Sequence, residues 1–425
     1  MNVGFIGLGK LGLPCALAVE SKGHNVIGYD ISDSVQEIVG SKKLPYKEIW
    51  AQDYLDNSNI EIKPVSEVVN HSEIIFVPIQ TPHDERYEGT TRIPDDRVNF
   101  NYDWLKAGIE TLSNEIERQG EDKVVIIIST VLPGTIEKEI KPLLGSHTKL
   151  CYNPFFIAMG TTMRDFLNPE YVLFGVDDSG AAEKAQSLYS SLHDRPFYKT
   201  TIKNAELIKV AYNTFIGMKI VYANTMMEIC HKIGADVDAV TGAMSLATDR
   251  LISSKYLRAG MGDGGGCHPR DNIAMSWLAR ELDLSHDFFD DLMMAREHQT
   301  EWLADLIEEH SGTSEENTKF DNITEEIYYE NPIYILGKSF KPETNITTGS
   351  PSLLLKNILE ERNHNVTMYD PYSDDFMPPF SRGIYFIGTM HPDFNDFNFP
   401  IGSIILDPWR YIEDVDGCDV IGIGR

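Results

Sequence analysis

The chain has 425 residues, enough for two or three domains, and its 42% apolar and 24% charged residues are ordinary for a soluble globular protein. Its formal net charge of -28 is not ordinary. Such a surface repels nucleic acid and anionic lipid, so neither is expected as a partner, and an anionic substrate needs local Lys and Arg to offset the field. Five widely spaced cysteines with no CxxC pair argue against a disulfide framework or a structural zinc site, so no metal is expected.

Met1 leads directly into an apolar strand pattern, and no apolar run approaches the ~20 residues of a membrane span. The expectation is a cytoplasmic protein with no leader and no membrane partner. Apolar runs at 2–6, 25–29, 73–79 and 123–129 alternate with amphipathic stretches to about residue 200. That alternation predicts a parallel sheet covered on both faces, a first domain over 1–200.

The first strand runs into Gly7-Leu8-Gly9-Lys10-Leu11-Gly12, an apolar helix follows, and Asp30 ends the second strand. In that context the GxGxxG is a dinucleotide fingerprint. Gly7 makes the turn, Gly9 admits the pyrophosphate, and Gly12 lets helix and strand pack. The helix N-terminus offers N–H donors to phosphate. Asp30 should bind ribose hydroxyls and repel a 2'-phosphate, which favours NAD as cofactor. Thr81, Ser129, Thr130 and Arg270 complete the candidate cofactor set.

Residues 204–234 carry apolar side chains on almost every face, uninterrupted by proline and closed by Gly234. A helix ~45 Å long of this kind is expected to be buried between domains or between subunits. Lys209 and Asn213 stand at i and i+4 on it, so they share a face and could hold an oxyanion. Helical patterning continues to about 310, which gives a central helical domain over 201–310. A polar stretch, 311–331, reads as a linker, and strand-helix alternation resumes over 332–425. The predicted fold is α/β, with two Rossmann-like doubly wound domains joined by a long central helix and a helical domain.

The most telling stretch is Gly260-Met261-Gly262-Asp263-Gly264-Gly265-Gly266-Cys267-His268-Pro269-Arg270-Asp271. Glycines beside a thiol should let a bulky ligand come close to sulfur, and Asp271 lies one helical turn on if a helix starts after Pro269, where it could accept a proton. Cys15, Cys151 and Cys230 sit in apolar stretches and read as inert core thiols. A thiol nucleophile beside NAD suggests oxidation of an alcohol to an aldehyde, capture by Cys267, a second hydride loss to a thioester, and release of a carboxylate.

At these residues the chain resembles the UDP-glucose/GDP-mannose dehydrogenase family along essentially its whole length, as a divergent member. The matching segments include the GxGxxG with Asp30, Ser129-Thr130-Val131, Ala205-Glu206-Leu207-Ile208-Lys209 with Asn213, and the Cys267 segment. Gly337, Phe340-Lys341-Pro342, Ser350-Pro351 and Tyr369-Asp370-Pro371 complete them. The resemblance implies a nucleotide-sugar 6-dehydrogenase, usually a homodimer through the long helix, with UDP-glucose as first candidate. It implies Cys267 as nucleophile, Lys209 and Asn213 as oxyanion and water holders, and Asp271 as base. Phe340, Lys341, Gly262, Gly264, Arg258 and Arg410 are implied to bind substrate, with Arg250 matching an arginine donated by the neighbouring subunit.

Two departures stand out. Phe155 occupies the place of the family glutamate that assists thioester hydrolysis, and is assigned to the substrate site. Ile346 and Thr348 replace an aspartate and an arginine. Two other functions therefore stay open: a two-electron hydroxyacid dehydrogenase, and a hydrolysis-impaired sensor of NAD or a nucleotide sugar.

Overall fold

The computed structural model describes every residue except 83, 249–254, 256–257, 284–286, 312–317, 321–326 and 330, with the side chains of 225, 229, 318–320 and 327–329 also left out. Two compact units emerge: residues 1–82 with 100–212, and 83–99 with 213–425.

Unit 1 is built on one sheet of β1 (Asn2–Ile6), β2 (Asn25–Tyr29), β3 (Glu61–Ile62), β4 (Ile74–Val77), β5 (Lys123–Ile127), β6 (Thr148–Tyr152), β7 (Val172–Val176) and β8 (Phe197–Thr200). The strand order is β3-β2-β1-β4-β5-β6-β7-β8. Every ladder is parallel except that between β6 and β7, which is antiparallel. Strands such as β4 and β5 are buried along their whole length, which explains why they read as unbroken apolar runs. Helices α1 (Gly12–Glu20), α2 (Asp33–Ser41), α3 (Ala51–Asn57), α4 (Val65–His71), α5 (Asp103–Gln119), α6 (Thr162–Leu167) and α7 (Ser179–Leu192) belong to this unit. The order reverses between β1 and β4, and at such a switch point the carboxyl ends of the strands leave a crevice for a ligand.

The chain passes into unit 2 within α8 (Ile202–Ile233), followed by α9 (Val237–Ser245), α10 (Cys267–Glu281), α11 (Phe288–Ser311) and α12 (Pro351–Glu361). Its five-stranded sheet, all parallel, runs β12-β11-β13-β14-β15 from β11 (Ile333–Leu336), β12 (Val366–Tyr369), β13 (Ile384–Ile387), β14 (Ile404–Asp407) and β15 (Asp419–Gly422). Two further strands, β9 (Thr318–Phe320) and β10 (Ile327–Tyr329), pair antiparallel inside the stretch expected to be a linker.

The compact units divide the chain differently from the expected segments. Ala223 and Met227 of α8, Leu303 and Ile307 of α11, and Leu354 and Ile358 of α12 share one core with Ile335 and Phe386 of the sheet. The central helices and the C-terminal sheet therefore form one unit. Residues 83–99, from the connection between β4 and α5, also belong to it. There Tyr87 packs on Ile273 and Met293. Arg92 reaches Glu297 at 3.2 Å, Glu361 at 2.8 Å and also Glu301, and Arg97 pairs with Asp290.

Both sheets begin with the same turn. In unit 1, Gly7 N–H donates to Tyr29 O at 2.8 Å and Leu8 N–H to Asp30 Oδ2 at 2.7 Å. In unit 2, Gly337 N–H donates to Tyr369 O at 2.7 Å and Lys338 N–H to Asp370 Oδ2 at 2.7 Å. Gly7 (φ 111) and Gly337 (φ 103) hold the positive φ that this turn requires.

Candidate functional site

The cofactor half is wholly within unit 1. A Cβ at Gly12 would stand 2.2 Å from Gly7 O and 2.8 Å from Pro78 Cγ, so that position must be glycine for the helix to reach the strand. At Gly9 a Cβ would meet nothing within 4 Å, which leaves the turn open where a pyrophosphate would sit. Asp30, 9% exposed, accepts from the N–H groups of Leu8 and Ser32. Leu8 contributes backbone alone, because its side chain is buried in the core. Lys10 is exposed and Leu11 half-buried.

The loop after β5 faces the same end of the sheet. Thr81 Oγ1 donates to Thr130 O at 2.7 Å, and Ser129 Oγ donates to Ile79 O, so both hydroxyls set backbone positions. Glu206 on α8, which the sequence offered only as part of a matching segment with no role, locks this loop. Fully buried, its carboxylate accepts from Gly134 N–H at 2.6 Å and Ile136 N–H at 2.7 Å. Burial raises its carboxyl above the usual range, and those two N–H groups offset part of the rise.

Lys209, 8% exposed, places its ammonium 5.5 Å from the ring centre of Phe156. That ring lies 5.1 Å from Tyr171 and 4.5 Å from Tyr212. Phe155, the residue expected in the substrate site, instead packs on Phe166 at 5.2 Å against the core of unit 1. Of the two adjacent rings, Phe155 packs against the core and Phe156 reaches the lysine.

The thiol half lies within unit 2. Cys267 is exposed and opens α10. Asp271, one turn on, is fully buried; it accepts from Asn213 Nδ2, from Arg270 Nε at 2.9 Å and from Arg270 Nη2 at 2.8 Å. Arg270, expected at the cofactor, thus braces Asp271 in this unit. His268 Nδ1 lies 3.1 Å from Asn213 O, within hydrogen-bond distance.

The glycines before Cys267 have a different reason from the one expected. A Cβ at Gly260 would stand 1.9 Å from the Trp409 ring, at Gly262 2.6 Å from Pro351, at Gly265 2.5 Å from Phe340, and at Gly266 3.0 Å from Thr348. The run is glycine because it packs against the C-terminal sheet's loops. Asn224 of α8 clamps the start of this stretch: its Nδ2 donates to Gly262 O at 2.6 Å, and its Oδ1 accepts from Gly260 N–H at 2.8 Å.

Lys341 places its ammonium 5.5 Å from the Phe340 ring centre, beside Gly265. Arg258 and Arg410 meet around a cavity of about 330 Å³ that Arg425 and Asp238 also line. Arg410, expected to hold substrate, is bound into the fold: it reaches Asp238 at 3.1 Å, Ala259 O at 2.8 Å and Ile423 O at 3.3 Å, with a fully covered side chain. Arg250 lies outside the described residues. Among the described residues no group of His, Cys, Asp and Glu is placed to hold a metal, and no helix is long and apolar enough to cross a membrane.

Residues 1–193 match the NAD binding domain of the UDP-glucose/GDP-mannose dehydrogenase family, and residues 203–297 match that family's central domain. The chain is 25% identical to a GDP-mannose 6-dehydrogenase of Pseudomonas putida, over 100% of this chain and 91% of the relative. It is 26% identical to a UDP-glucose 6-dehydrogenase of Bacillus subtilis, over 87% of this chain and 76% of the relative. A UDP-glucose dehydrogenase structure from the archaeon Pyrobaculum islandicum shares the fold, with a TM-score of 0.85 at 22% identity, over 100% of this chain and 98% of that one. Two family domains matched in order over more than half its length, above an open glycine turn suited to NAD, make this chain a member of the UDP-glucose/GDP-mannose dehydrogenase family and an NAD-dependent oxidoreductase.

Proposed function

We propose that the chain oxidises the C6 alcohol of a nucleotide sugar to the carboxylate, with UDP-glucose the first substrate to test. The observation that carries this reading is the exposed Cys267 at the start of α10, with the buried Asp271 and Asn213 pair one turn away. Gly7, Gly9, Gly12 and Asp30 would hold NAD, which when bound accepts a hydride. Loss of one hydride and one proton from the alcohol gives an aldehyde. The Cys267 thiolate adds to its carbonyl carbon, and Lys209 and Asn213 stabilise the resulting oxyanion. Collapse of that oxyanion expels the second hydride, for which a second NAD would be the acceptor once the first has left as NADH, and leaves a thioester on Cys267. Asp271 takes a proton from water as it attacks, the C–S bond breaks, and carboxylate and thiol are released.

Lys341 and Phe340 would meet the nucleotide end, with Arg258, and Arg250 would come from a second subunit. The dimer would form through α8, where Leu207 is 44%, Phe215 39% and Tyr222 46% exposed. One observation favours a second reading. Lys209 lies over the Phe156 ring, which is no base, so a chain that forms the thioester but releases it slowly is the alternative.

The test is turnover with NAD and a panel of UDP-glucose, UDP-N-acetylmannosamine and GDP-mannose, with NADH counted per sugar and the Cys267 peptide examined by mass spectrometry. Two NADH per sugar are expected, with slow release visible as a Cys267 adduct. One NADH per sugar indicates a two-electron dehydrogenase. Full four-electron turnover by Cys267→Ser would rule out the covalent route.

A further inference from the structure

The loop that delivers Cys267 has an unusual anchor. Between Gly262 and Cys267 every residue is glycine except Asp263, and Gly262, Gly264 and Gly265 hold φ values of 71, 95 and 101. Such backbone has no side chains to fix it and gains most from a single anchor. Asp263 is fully buried, and its Oδ1 accepts from Arg296 Nε at 2.9 Å. Arg296, on α11, is 2% exposed and donates its Nη2 to Gly89 O at 2.6 Å. Gly89, at φ 74, lies so close to Pro269, two residues beyond the thiol, that a Cβ there would stand 2.7 Å from Pro269 Cγ.

One guanidinium thus holds both the loop before Cys267 and the backbone against the first turn after it. We propose that Asp263, Arg296 and the carbonyl of Gly89 form a positioning device for the Cys267 thiol. The energetics point to placement, because a buried ion pair adds little stability over an apolar pair of the same shape. Among the described residues Asp263 Oδ2 is buried without a hydrogen bond, a further sign that folding strength is not what the group supplies. The device acts through Cys267, so neither Asp263 nor Arg296 need touch substrate.

The inference rests on Cys267 as the nucleophile, and its test has one arm that needs no sugar substrate. In the NAD-loaded full chain, Asp263→Asn and Arg296→Lys are compared with wild type for the rate at which iodoacetamide alkylates Cys267, read on its own peptide. The expectation is a fall of at least fivefold in Asp263→Asn, since the glycine loop no longer holds the first turn of α10, and the thiol with it, in one place. Arg296→Lys, which keeps the charge but not both bonds, should fall between. With a nucleotide sugar, the second NADH should slow at least tenfold while KM for NAD holds.

Should Asp263→Asn not fold, the double variant Asp263→Asn/Arg296→Met removes both charges; it should recover Tm and still alkylate slowly. Wild-type alkylation in either variant, with only Tm altered, would make the pair a plain structural bridge and overturn the proposal. If wild type yields no NADH from any sugar, the functional reading fails, and the alkylation arm still decides this one.

Discussion

Gly349 offers the sharpest test of how the thiol loop is held. It sits at φ 74 in the loop before α12, and a Cβ there would stand 2.2 Å from Gly266 N, 2.3 Å from Gly266 Cα and 2.6 Å from Gly265 C. All three are backbone atoms, so no side chain can swing aside. Gly349→Ala forces the two loops apart by about 1 Å to reach ordinary contact. Left-handed strain contributes roughly 1–2 kcal/mol, and forced overpacking about 1–3 kcal/mol more. A loss of about 2–5 kcal/mol in a unit of this size lowers Tm by roughly 5–20 °C. Because Gly266 precedes Cys267, the thiol shifts too, and a displacement of ~1 Å reduces turnover on the order of a hundredfold.

Gly234→Ala is the control. Gly234 lies in the same unit at φ 72, with nothing within 4 Å of its Cβ position, so it carries the strain alone. The assay is calorimetric Tm and second-hydride rate for both variants side by side. Equal Tm losses and unchanged turnover in the two would refute the contact argument.

Three other outcomes are expected. Phe156→Glu sets a carboxylate beside Lys209 and should speed release of a trapped thioester several-fold, whereas Phe155→Glu buries a charge against Phe166 and should destabilise unit 1 by about 3 kcal/mol; a stopped-flow release rate and a denaturation curve separate them. Asp30→Ala leaves the N–H groups of Leu8 and Ser32 unpaired and should raise KM for NAD at least tenfold, an idea abandoned if NAD titration shows wild-type affinity. Burial alone would raise the Asp370 carboxyl, but hydrogen bonds from His391, Ser339 and Lys338 N–H overcome this and hold it well below the usual range. Its stabilisation is therefore full above the unfolded value of ~3.9 and lost as pH falls toward the folded one, so Asp370→Asn should flatten the acid limb of Tm below pH ~4.

The parts legible in the sequence are those whose cause is local. Gly7, Gly9, Gly12 and Asp30 announce their turn because each has one backbone job within a single strand-turn-helix. Spacing puts Asp271 one turn from Cys267 for a helix that starts after Pro269, whereas α10 starts at Cys267 itself. Contacts made at long sequence separation were not legible. Arg92 and Arg97 look like solvated charges until 83–99 is seen on α10 and α11. Asp263 and Arg296 stand 33 positions apart, and nothing in the glycine run points to α11. The glycines were noticed, but what crowds them is Phe340, Thr348 and Trp409, up to about 150 residues away. Phe155 and Phe156 show a finer limit, since spacing cannot say which of two adjacent rings faces the lysine.

The lodging of residues 83–99 has a consequence for anyone who would recombine this chain with a relative. A junction near residue 200 looks like a clean seam, yet it separates Arg92 from Glu297 and Glu361, Arg97 from Asp290, and Gly89 from Arg296. A chimera cut there inherits one parent's strap and another parent's thiol helix. The exchangeable module is discontinuous: a graft that keeps its thiol in place must carry 83–99 along with everything from 213 onward.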